Sequence, residues 1–511
     1  MKGSEHMASN SVGEPCNERG PAALSAPGAA AWVAAPETRA AVPSGDSMQR
    51  LSDTSGRCGA LALCALLAAG CGASKSGDDS GGSSAPPVIE SFTSAVAAVH
   101  VGESTQVTAV FSGDSATIDG IGPVGSGTPV TTPPLARPTA FVLTVRRGSR
   151  QVEASISIDA TYRGRFRQLA PSPVAYTQHV AMALADGGAL VMGGHSSESP
   201  NVPDTDASHR FDPVTEAVST GPQLAFSAEA DLTTPVELEH GGFLLVGPGI
   251  NSALHLDGGL RATQVFDALT GTFHRVGDLG VRHDAGGTAT ALADGSVLVA
   301  GGEVPGITAA ERYDPASERW TAAGDMATAR RGHTATRLAD GRVLIAGGVS
   351  CCDATGESLT GAAEIFDPVA GSFQPTGSLT TARARHAATL LADGRVLVTG
   401  GFVGVDGSTT ASAEIYDPST ARFSPVGAMQ VSRIGHSSVL LTDGRVLVAG
   451  GMQASTAIDI FEPAADLWRP GPTLEPAWGA STVTLLRNGR VLVFGGEDAL
   501  GFPVPTVMVF E

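Results

Sequence analysis

The sequence predicts an all-β protein: a seven-bladed β-propeller that is closed by an N-terminal strand and preceded by a small β-sandwich. The first observation is a block of four short strand patterns that recurs from Phe166 onward. The second is a pair of glycines that closes the second strand pattern of a block. The third is an aromatic residue followed by an acid, at spacings from 45 residues (416 to 461) to 55 residues (211 to 266). Four antiparallel strands per repeat are typical of propeller blades.

One block shows how the residues specify the strands. It reads RRGHTATRLADGRVLIAGG over 330–348 and AAEIFDPVAGSF over 362–373. Asp340-Gly341 separates two apolar runs, so we predict a hairpin with a two-residue type I′ turn, which needs positive φ at both positions. Gly347-Gly348 lets a neighbouring backbone approach closely. Asp367-Pro368 predicts the turn that ends the third strand.

The number of blades follows from motifs that can be counted separately. The glycine pair occurs six times, and Gly247-Pro248-Gly249 is a seventh, degenerate copy; the six are Gly193-Gly194, Gly301-Gly302, Gly347-Gly348, Gly400-Gly401, Gly450-Gly451 and Gly495-Gly496. The aromatic–acid pair occurs seven times, as Phe211-Asp212, Phe266-Asp267, Tyr313-Asp314, Phe366-Asp367, Tyr416-Asp417, Phe461-Glu462 and Phe510-Glu511. These motifs resemble the kelch repeat, whose period is about 50 residues. The resemblance covers residues 161–511 and implies a propeller of the galactose oxidase-like kelch superfamily.

The last block ends at Glu511 after three strand patterns. The segment RGRFRQLAPSP (163–173) matches AGSFQPTGSLT (370–380), with Phe166 in the place of Phe373. We therefore predict that this N-terminal segment supplies the fourth strand of the last blade. Such closure removes the free sheet edges that favour aggregation.

Four parts precede the repeats, and the first three are not globular. Residues 1–47 are predicted to be disordered or an upstream extension. Residues 48–71, with a basic start, an apolar run and Cys71, resemble a bacterial lipoprotein signal, which implies lipid on that cysteine and export to the outer membrane or cell surface. The alternative is a cleaved secretion signal and a periplasmic or secreted protein. Residues 72–85 are predicted to be a flexible linker.

The fourth part, residues 86–160, alternates apolar and polar residues as half-buried strands do. The pattern is clear in STQVTAVF (104–111), FVLTVRR (141–147) and VEASISID (152–159). This part resembles an immunoglobulin-like domain, although it lacks the cysteines and tryptophan of antibody domains. We expect it to act as a spacer between membrane and propeller.

Charge and cysteine content restrict the partners. The net charge of −19 argues against a nucleic-acid partner, and we expect a monomer. Cys351 and Cys352 are adjacent in a long loop and are a candidate vicinal disulfide in an oxidising compartment. Metal binding or thiol redox chemistry is the alternative for these two cysteines.

The connections between second and third strands vary in length, whereas the hairpin turns are nearly uniform. The long connections cover 195–208, 349–361 and 402–412, and 452–456 is short. Antiparallel geometry places these loops on one face, together with the segments that join the blades. Because ligand sites are common on variable loops of rigid scaffolds, we predict the ligand on this face, with 250–262 also taking part.

Two sets of residues lie just before the first strand of similar blades. They are the arginines Arg330, Arg383 and Arg433, and the histidines His179, His333, His386 and His436. We predict that the arginines form a basic arc for an anionic ligand; the alternative is pairing with acidic groups between blades. The last three histidines are candidate binding residues. A metal around the central channel and a repeated structural hydrogen bond are the alternatives for the histidines.

The resemblance to galactose oxidase, a seven-bladed kelch propeller that uses copper, implies a further site to test. That family needs two tyrosines and two histidines at copper, one tyrosine being crosslinked to a cysteine. The tyrosines here are Tyr162, Tyr176, Tyr313 and Tyr416, and the last two occupy the repeated aromatic position, where packing explains them. We therefore expect no copper-radical machinery, no catalytic residues, no metal and no cofactor.

These observations favour a non-catalytic protein that binds a glycan or a protein through one face of the propeller. The alternative is a carbohydrate-active enzyme, such as a sugar epimerase or oxidase, with its site on the same face. Clustered carboxyl groups with raised pKa values would favour the enzyme, and a shallow face would favour binding.

Overall fold

The structure, a computed structural model, describes residues 85–177, 179–196, 207–225, 234–246, 261–283, 286–302, 307–353, 356–404, 406–451, 455–474, 479, 481–498, 500 and 502–511. These residues form 41 β-strands and no α-helix, which confirms the prediction of an all-β fold. The predicted segments 1–47 and 48–71, including Cys71, lie outside the described residues. None of the described residues belongs to a helix long and apolar enough to cross a membrane.

An N-terminal unit occupies the place where the sequence predicts a β-sandwich. Its strands are β1 Val88–Ser94, β2 Ala98–His100, β3 Gln106–Ser112, β4 Ser115–Ile118, β5 Gly122–Pro123, β6 Val130–Thr131, β7 Thr139–Arg147 and β8 Arg150–Thr161. They form two sheets with the orders β1-β3-β6 and β2-β8-β7-β4-β5. Phe141, Leu143 and Val145 alternate along β7 and are buried, because successive side chains of a strand point to opposite faces.

Seven four-stranded antiparallel sheets follow, named here sheet I to sheet VII. β9 Phe166–Gln168 precedes them and belongs to sheet VII, and two short strands flank sheet I, β10 Tyr176–Thr177 and β13 His195–Ser196. Sheet I contains β11 Val180–Ala183, β12 Ala189–Met192, β14 Ser208–Asp212 and β15 Ala217–Thr220. Sheet II contains β16 Thr234–Glu237, β17 Phe243–Val246, β18 Thr263–Asp267 and β19 Thr272–Arg275. Sheet III contains β20 Thr288–Ala291, β21 Val297–Ala300, β22 Ala309–Asp314 and β23 Arg319–Asp325.

The remaining sheets repeat this order. Sheet IV contains β25 Thr334–Arg337, β26 Val343–Ala346, β29 Ala363–Asp367 and β30 Ser372–Pro375, and is accompanied by β24 Arg330–Arg331, β27 Val349–Asp353 and β28 Gly356–Leu359. Sheet V contains β31 Ala387–Leu390, β32 Val396–Thr399, β33 Ala413–Asp417 and β34 Arg422–Val426. Sheet VI contains β35 Ser437–Leu440, β36 Val446–Ala449, β37 Asp459–Glu462 and β38 Leu467–Pro470. Sheet VII contains β39 Thr482–Leu485, β40 Val491–Phe494, β41 Val507–Phe510 and β9.

The first strands of the seven sheets contact one another in a closed series, so they surround a central axis. The second strand of each sheet is buried along its whole length, as in β26 and β32. That burial explains why these strands are continuous apolar runs instead of alternating ones. The cores lie between neighbouring sheets, where the second and third strands of one sheet pack against those of the next.

The hairpin between the first and second strands differs from the predicted type I′ turn. In sheet IV, Gly341 N–H donates to Leu338 O (3.0 Å) and Leu338 N–H donates to Arg342 O (2.8 Å), which gives a three-residue loop. Gly341 has φ +88°, while Asp340 is not among the residues with positive φ. The Asp340 carboxylate accepts the N–H of Arg342 instead (3.0 Å). The aspartate thus stabilises a type I turn followed by a left-handed glycine, a common hairpin with three loop residues.

The repeated aromatic residues of the third strands pair with aromatic residues of the fourth strands. In sheet IV, Phe366 lies opposite Phe373, and their ring centroids are 4.9 Å apart. The same cross-strand pairing joins Tyr313 to Trp320 at 5.1 Å and Tyr416 to Phe423 at 4.8 Å. These distances fall in the range of favourable aromatic contacts. The pairs hold the fourth, outermost strand to its sheet.

The predicted closing strand is present. β9 pairs with β41 in antiparallel register, and Phe166 lies opposite Phe510 with the ring centroids 5.2 Å apart. Phe166 therefore takes the place that Phe373 has in sheet IV. At the same seam, the Glu216 carboxylate of sheet I accepts from Arg167 of β9 (2.7 Å) and from Arg490 of sheet VII (2.6 Å). These ion pairs hold the pKa of Glu216 low, at about 2.

The N-terminal unit contacts the hairpin turns of sheets VI and VII. The Tyr162 hydroxyl donates to Gly489 O (2.7 Å), and the Thr442 hydroxyl donates to Ala136 O (2.5 Å). A Cβ atom at Gly489 would lie 2.7 Å from a side-chain carbon of Val101, so the backbone turn packs closely against the unit. The unit expected to be a spacer is therefore in direct contact with the end of the sheets that carries the turns.

Candidate functional site

The two ends of the sheets carry different connections. The end with the hairpin turns is called here the turn face, and the end with the connections between second and third strands is called the loop face. At the loop face, the segment before a first strand pairs with the residues that follow a glycine pair. Arg330 pairs with Ser350 and Arg331 with Val349, and Ala384 bridges to Phe402, which bridges to Thr409. These small ladders surround the loop-face end of the central axis.

The three predicted binding arginines lie beneath these ladders. Arg330, Arg383 and Arg433 are 1%, 0% and 3% exposed. The guanidinium of Arg383 donates to Gly400 O (2.8 Å), Ser412 O (3.0 Å) and the Glu414 carboxylate (2.9 Å). Arg330 and Arg433 repeat these contacts with Glu364 and Asp459. The arginines are thus held by acceptors of their own sheets.

This geometry corrects the predicted basic arc. A guanidinium that is almost fully buried and already paired presents no donor to a ligand at the surface, so these arginines are structural. Pairing with acids was the alternative, but it was expected between blades, whereas Glu414 belongs to the sheet that Arg383 leads into. The same carboxylate also accepts the backbone N–H groups of Thr380 (2.7 Å) and Thr381 (3.0 Å). The ion pair therefore fixes the segment that joins sheet IV to sheet V.

The acidic partners were missed by the sequence reasoning, although the repeat contains a signal for them. Each lies two residues before the repeated aromatic, and therefore on the same strand face: Glu311, Glu364, Glu414 and Asp459. A charged residue on the face of a buried aromatic needs a partner. In sheet III, His283 replaces the arginine, with its Nε2 3.3 Å from Glu311 and its Nδ1 2.7 Å from Gly301 O.

The predicted histidines hold neighbouring sheets together. His333 Nε2 is hydrogen-bonded to Thr288 of sheet III (2.9 Å), and His386 Nε2 to Thr334 of sheet IV (2.9 Å). His179 makes the same contact with Thr482, and His436 bonds to Thr399, at the end of the second strand of sheet V. A Cβ atom on Gly347 would lie 2.8 Å from His386 Cε1 and 2.6 Å from Arg383 O. The first glycine of the pair therefore makes room for the histidine of the next sheet.

Burial keeps these imidazoles neutral. It lowers the pKa of His179 to about 4 and the pKa values of His333, His386 and His436 to about 3. Each ring is bonded to a threonine hydroxyl of its neighbour, which is the repeated structural hydrogen bond considered as one alternative. Among the described residues, no group of three or more His, Cys, Asp or Glu side chains is placed to hold a metal.

An inner ring of backbone hydrogen bonds lies directly before the histidines. Gly332 N–H donates to Gly286 O (2.8 Å), Arg385 N–H to Gly332 O (2.7 Å), and Gly435 N–H to Arg385 O (3.0 Å). The ring links sheets III, IV, V and VI at the loop-face end of the central axis. Its members have positive φ, including Arg385 at 50°. Sequence reasoning gave this arginine no role; it aligns with the glycines Gly286, Gly332 and Gly435 of sheets III, IV and VI.

The sheet VII connection also reaches the loop face, and it is ordered by Asp498. The carboxylate of Asp498 accepts the N–H groups of Leu500 (2.8 Å) and Phe502 (3.0 Å). Both side chains are exposed, Leu500 by 80% and Phe502 by 61%. Cys351 and Cys352 lie in β27 on the same face; their oxidation state stays a prediction.

The tyrosines do not fit the copper site that the galactose oxidase resemblance implies. The Tyr416 hydroxyl of sheet V is bonded to Thr376 (2.8 Å), which directly follows the last strand of sheet IV. Tyr162 lies at the turn face, and Tyr313 packs on Trp320. Within the part of the chain that the structure describes, Tyr176 is the one tyrosine with a histidine beside its hydroxyl, His209 at 3.2 Å. The described tyrosines are therefore distributed over separate sheets and faces, which does not fit a copper site that needs two of them.

Comparisons with known proteins agree with this fold. The Kelch motif family matches residues 383–430, a span that begins at Arg383. No curated protein matches the sequence. Among solved structures, the chain is similar to a fungal alcohol oxidase of the AA5 family in complex with copper, with a TM-score of 0.53 and 17% identity over 68% of this chain and 76% of that one. At that identity the likeness shows the fold alone. The chain thus contains a Kelch motif and has an all-β fold of the propeller type.

Proposed function

We propose that the chain is an exported, lipid-anchored and non-catalytic binding protein, which recognises a glycan or a protein through the loop face. In this proposal the seven sheets are the blades of a seven-bladed kelch propeller, and the N-terminal unit is immunoglobulin-like. The closed series of contacts between first strands supports the propeller. The two sheets of the N-terminal unit support the sandwich.

The difference between the two faces carries the proposal. At the turn face the arginines bond to their own turns: Arg342 to Asp340 (2.8 Å), Arg395 to Asp393 (2.8 Å) and Arg445 to Asp443 (2.9 Å). The N-terminal unit also covers the turns of sheets VI and VII. The loop face instead carries hairpins of unequal length and the exposed Leu500 and Phe502.

The pKa values of the described carboxyl groups favour a binding function over the enzyme alternative. Every carboxyl group among them whose pKa departs from its ordinary value departs downward, as at Glu216 and Glu311. A general acid needs the opposite shift. The buried histidines are bonded between sheets and out of a substrate's reach. A sugar epimerase or oxidase activity, compatible with the oxidase fold neighbour, is therefore the second candidate.

Binding can be tested with two exposed hydrophobic residues on opposite faces. Phe502→Ala should weaken the affinity for a ligand found on a glycan array or by protein capture by about tenfold, since an aromatic hot spot contributes more than about 1 kcal/mol. Val369, 96% exposed in a turn of sheet IV, is the matched control. Val369→Ala should leave the affinity unchanged. The reverse pattern, measured by calorimetry, would place the site on the turn face.

The lipid anchor has its own test. Cys71→Ser should release the protein from membranes or block its maturation, because the sulfur is the proposed site of acylation. Cell fractionation and intact-mass measurement of the mature chain report on both. A mature, unmodified chain with a free Cys71 thiol would contradict the anchor and favour a periplasmic or secreted protein. Gly72 after the cysteine suggests sorting to the outer membrane of a Gram-negative cell.

A further inference from the structure

The connection between the second and third strands of sheet VII presents two apolar side chains to solvent, and these are called here the sheet VII tip. They are Leu500, 80% exposed, and Phe502, 61% exposed. Across the part of the chain that the structure describes, Phe502 is the one exposed aromatic residue; the other described aromatic side chains are buried or half-buried. Exposed apolar groups that lie together mark an interaction site.

The three described aliphatic residues that are more exposed than Leu500 follow from the repeat. Val214, Leu269 and Val369 are 88%, 91% and 96% exposed. Each lies two residues after the acid that ends a third strand, and its N–H donates to that carboxylate. They stand singly in three different sheets, and scattered apolar residues of this kind are ordinary on protein surfaces. The sheet VII tip differs, because two exposed residues share one connection.

The sheet VII tip is held in place by hydrogen bonds of its own hairpin. Oδ1 of Asp498 accepts the N–H groups of Leu500 (2.8 Å) and Phe502 (3.0 Å). The N–H of Asp498 donates to Phe502 O (3.0 Å). At the base of the hairpin, Glu497 and Gly479 exchange two backbone hydrogen bonds, of 2.8 and 3.0 Å. A surface that is ordered before binding loses little conformational entropy when it binds, so the sheet VII tip is a preorganised contact.

The exposure of the sheet VII tip indicates a ligand that encloses it. Side chains as exposed as Leu500 and Phe502 project from the surface instead of lining a pocket. Sites for sugars and other small molecules are concave and surround most of the ligand. At the sheet VII tip the ligand must supply the concave surface. Another protein can do so, since aromatic anchors that fill pockets are typical hot spots of protein interfaces.

A lipid surface is the other partner to consider for two apolar side chains. Attachment to a membrane surface grows with the apolar area that is buried and with the attraction to anionic lipids. The sheet VII tip offers only two side chains, Asp498 beside it is acidic, and the chain has a net charge of −19. These charges repel an anionic membrane. They favour instead a partner with basic groups around its pocket.

We infer that the sheet VII tip is the anchor through which this chain binds another protein, whose matching surface is an apolar pocket rimmed by basic side chains. The inference rests on the proposed function and selects a protein, instead of a glycan, as the ligand. A phenylalanine buries about 150–250 Å², whereas a standard interface buries about 800 Å² on each partner. The sheet VII tip is therefore the centre of the interface, and neighbouring loops of the loop face supply the rest.

The partner can be identified by photo-crosslinking from the tip itself. The full-length chain is produced in its own cells with p-benzoylphenylalanine in place of Phe502, and with the same group in place of Val369 as the control. Irradiation should link the first chain, and not the second, to one protein, which mass spectrometry identifies. The purified partner is then titrated calorimetrically. Phe502→Ala should weaken its affinity at least about tenfold, as for an aromatic hot spot, and Val369→Ala should leave the affinity unchanged.

Two substitutions of Asp498 separate the charge of the hairpin from its order. Asp498→Asn keeps an oxygen that accepts both N–H groups and removes the charge, so the affinity for the purified partner should depend less on salt. Asp498→Ala removes the acceptor as well. This variant should bind more weakly than Asp498→Asn although Leu500 and Phe502 are unchanged, because the sheet VII tip is no longer preorganised. Equal salt dependence in the unchanged chain and Asp498→Asn would overturn the basic rim.

Several results would overturn the inference as a whole. These are the absence of a cross-linked protein at position 502, a cross-link only to a second copy of this chain, and an identified partner that binds Phe502→Ala with unchanged affinity. Flotation of the chain with phosphatidylcholine vesicles that is lost in Phe502→Ala would assign the sheet VII tip to a lipid surface instead. A glycan whose binding is lost in Phe502→Ala, with no cross-linked protein, would refute the inference and leave the proposed function intact.

Discussion

Deletion of residues 162–170 should lower the melting temperature of the protein by roughly 10 °C or more. The deletion removes β9 and with it the Phe166 ring beside Phe510. Truncating a core phenylalanine to alanine alone costs about 3–5 kcal/mol, and in a large domain each kcal/mol corresponds to roughly 2–4 °C. Loss of the ion pair between Arg167 and Glu216 adds to the effect. Thermal unfolding monitored by circular dichroism measures the change.

A rescue variant makes this experiment specific to closure of the ring. The sequence of residues 165–170 can be placed after Glu511, behind a copy of the turn 368–371, so that the relocated phenylalanine follows Phe510 by seven residues, as Phe373 follows Phe366. Arg165 N–H and Glu511 O are 3.4 Å apart, so a short turn spans the gap. The relocated strand should restore most of the lost stability, because the sheet edge is covered again. A deletion variant that melts at the original temperature would contradict the role assigned to β9.

Acid should destabilise the protein already at pH values at which the carboxylates are still ionised and still stabilise the fold. The pKa of His179 is lowered to about 4, and the pKa values of His333, His386 and His436 are lowered to about 3. In the unfolded chain these imidazoles bind protons below about pH 6.5. The unfolded state therefore binds more protons, and stability falls as the pH decreases from about 6.5.

The expected size is large. pH 5 lies about 1.5 units below the pKa of an imidazole in the unfolded chain. Each buried, neutral imidazole therefore lowers the free energy of unfolding by about 2 kcal/mol at this pH. The four histidines together amount to about 8 kcal/mol, a large part of the total stability of an ordinary domain, about 5–15 kcal/mol. Glu216, with a pKa of about 2 in the folded protein, loses its contribution only below about pH 4.5. The two classes of group thus act in different pH ranges.

Denaturant unfolding at pH 7.5, 6.0 and 5.0 measures this dependence. His386→Gln should be less stable at pH 7.5, and its free energy of unfolding should fall less steeply with acid, by about one proton. His240 is exposed in the turn of sheet II, and the control variant His240→Gln should have an unchanged free energy of unfolding at pH 7.5. A free energy of unfolding that stays constant between pH 7.5 and 5.0 would contradict the buried, neutral state of the histidines.

The sequence by itself determined the strands and their partners along the chain. Turn residues and repeated aromatics act within one repeat, so the turn at Asp367-Pro368 between the third and fourth strands was predictable from local sequence. The closing strand was predictable for the same reason, because the residues around Phe166 match those around Phe373. The number of four-stranded sheets equals the number of aromatic–acid pairs.

Only the tertiary structure decided which polar residues are available to a ligand. Arg330 and Glu364 are 34 residues apart in sequence. His333 and Thr288 are 45 residues apart and belong to neighbouring sheets. The order of charged residues along the chain does not distinguish a side chain that faces solvent from one that is paired with a distant residue. Once the sheets close around the axis, Arg383 is buried and bonded to acceptors of its own sheet. Local patterns therefore specify strands, whereas the assignment of a binding residue depends on distances that exist only after the sheets have packed.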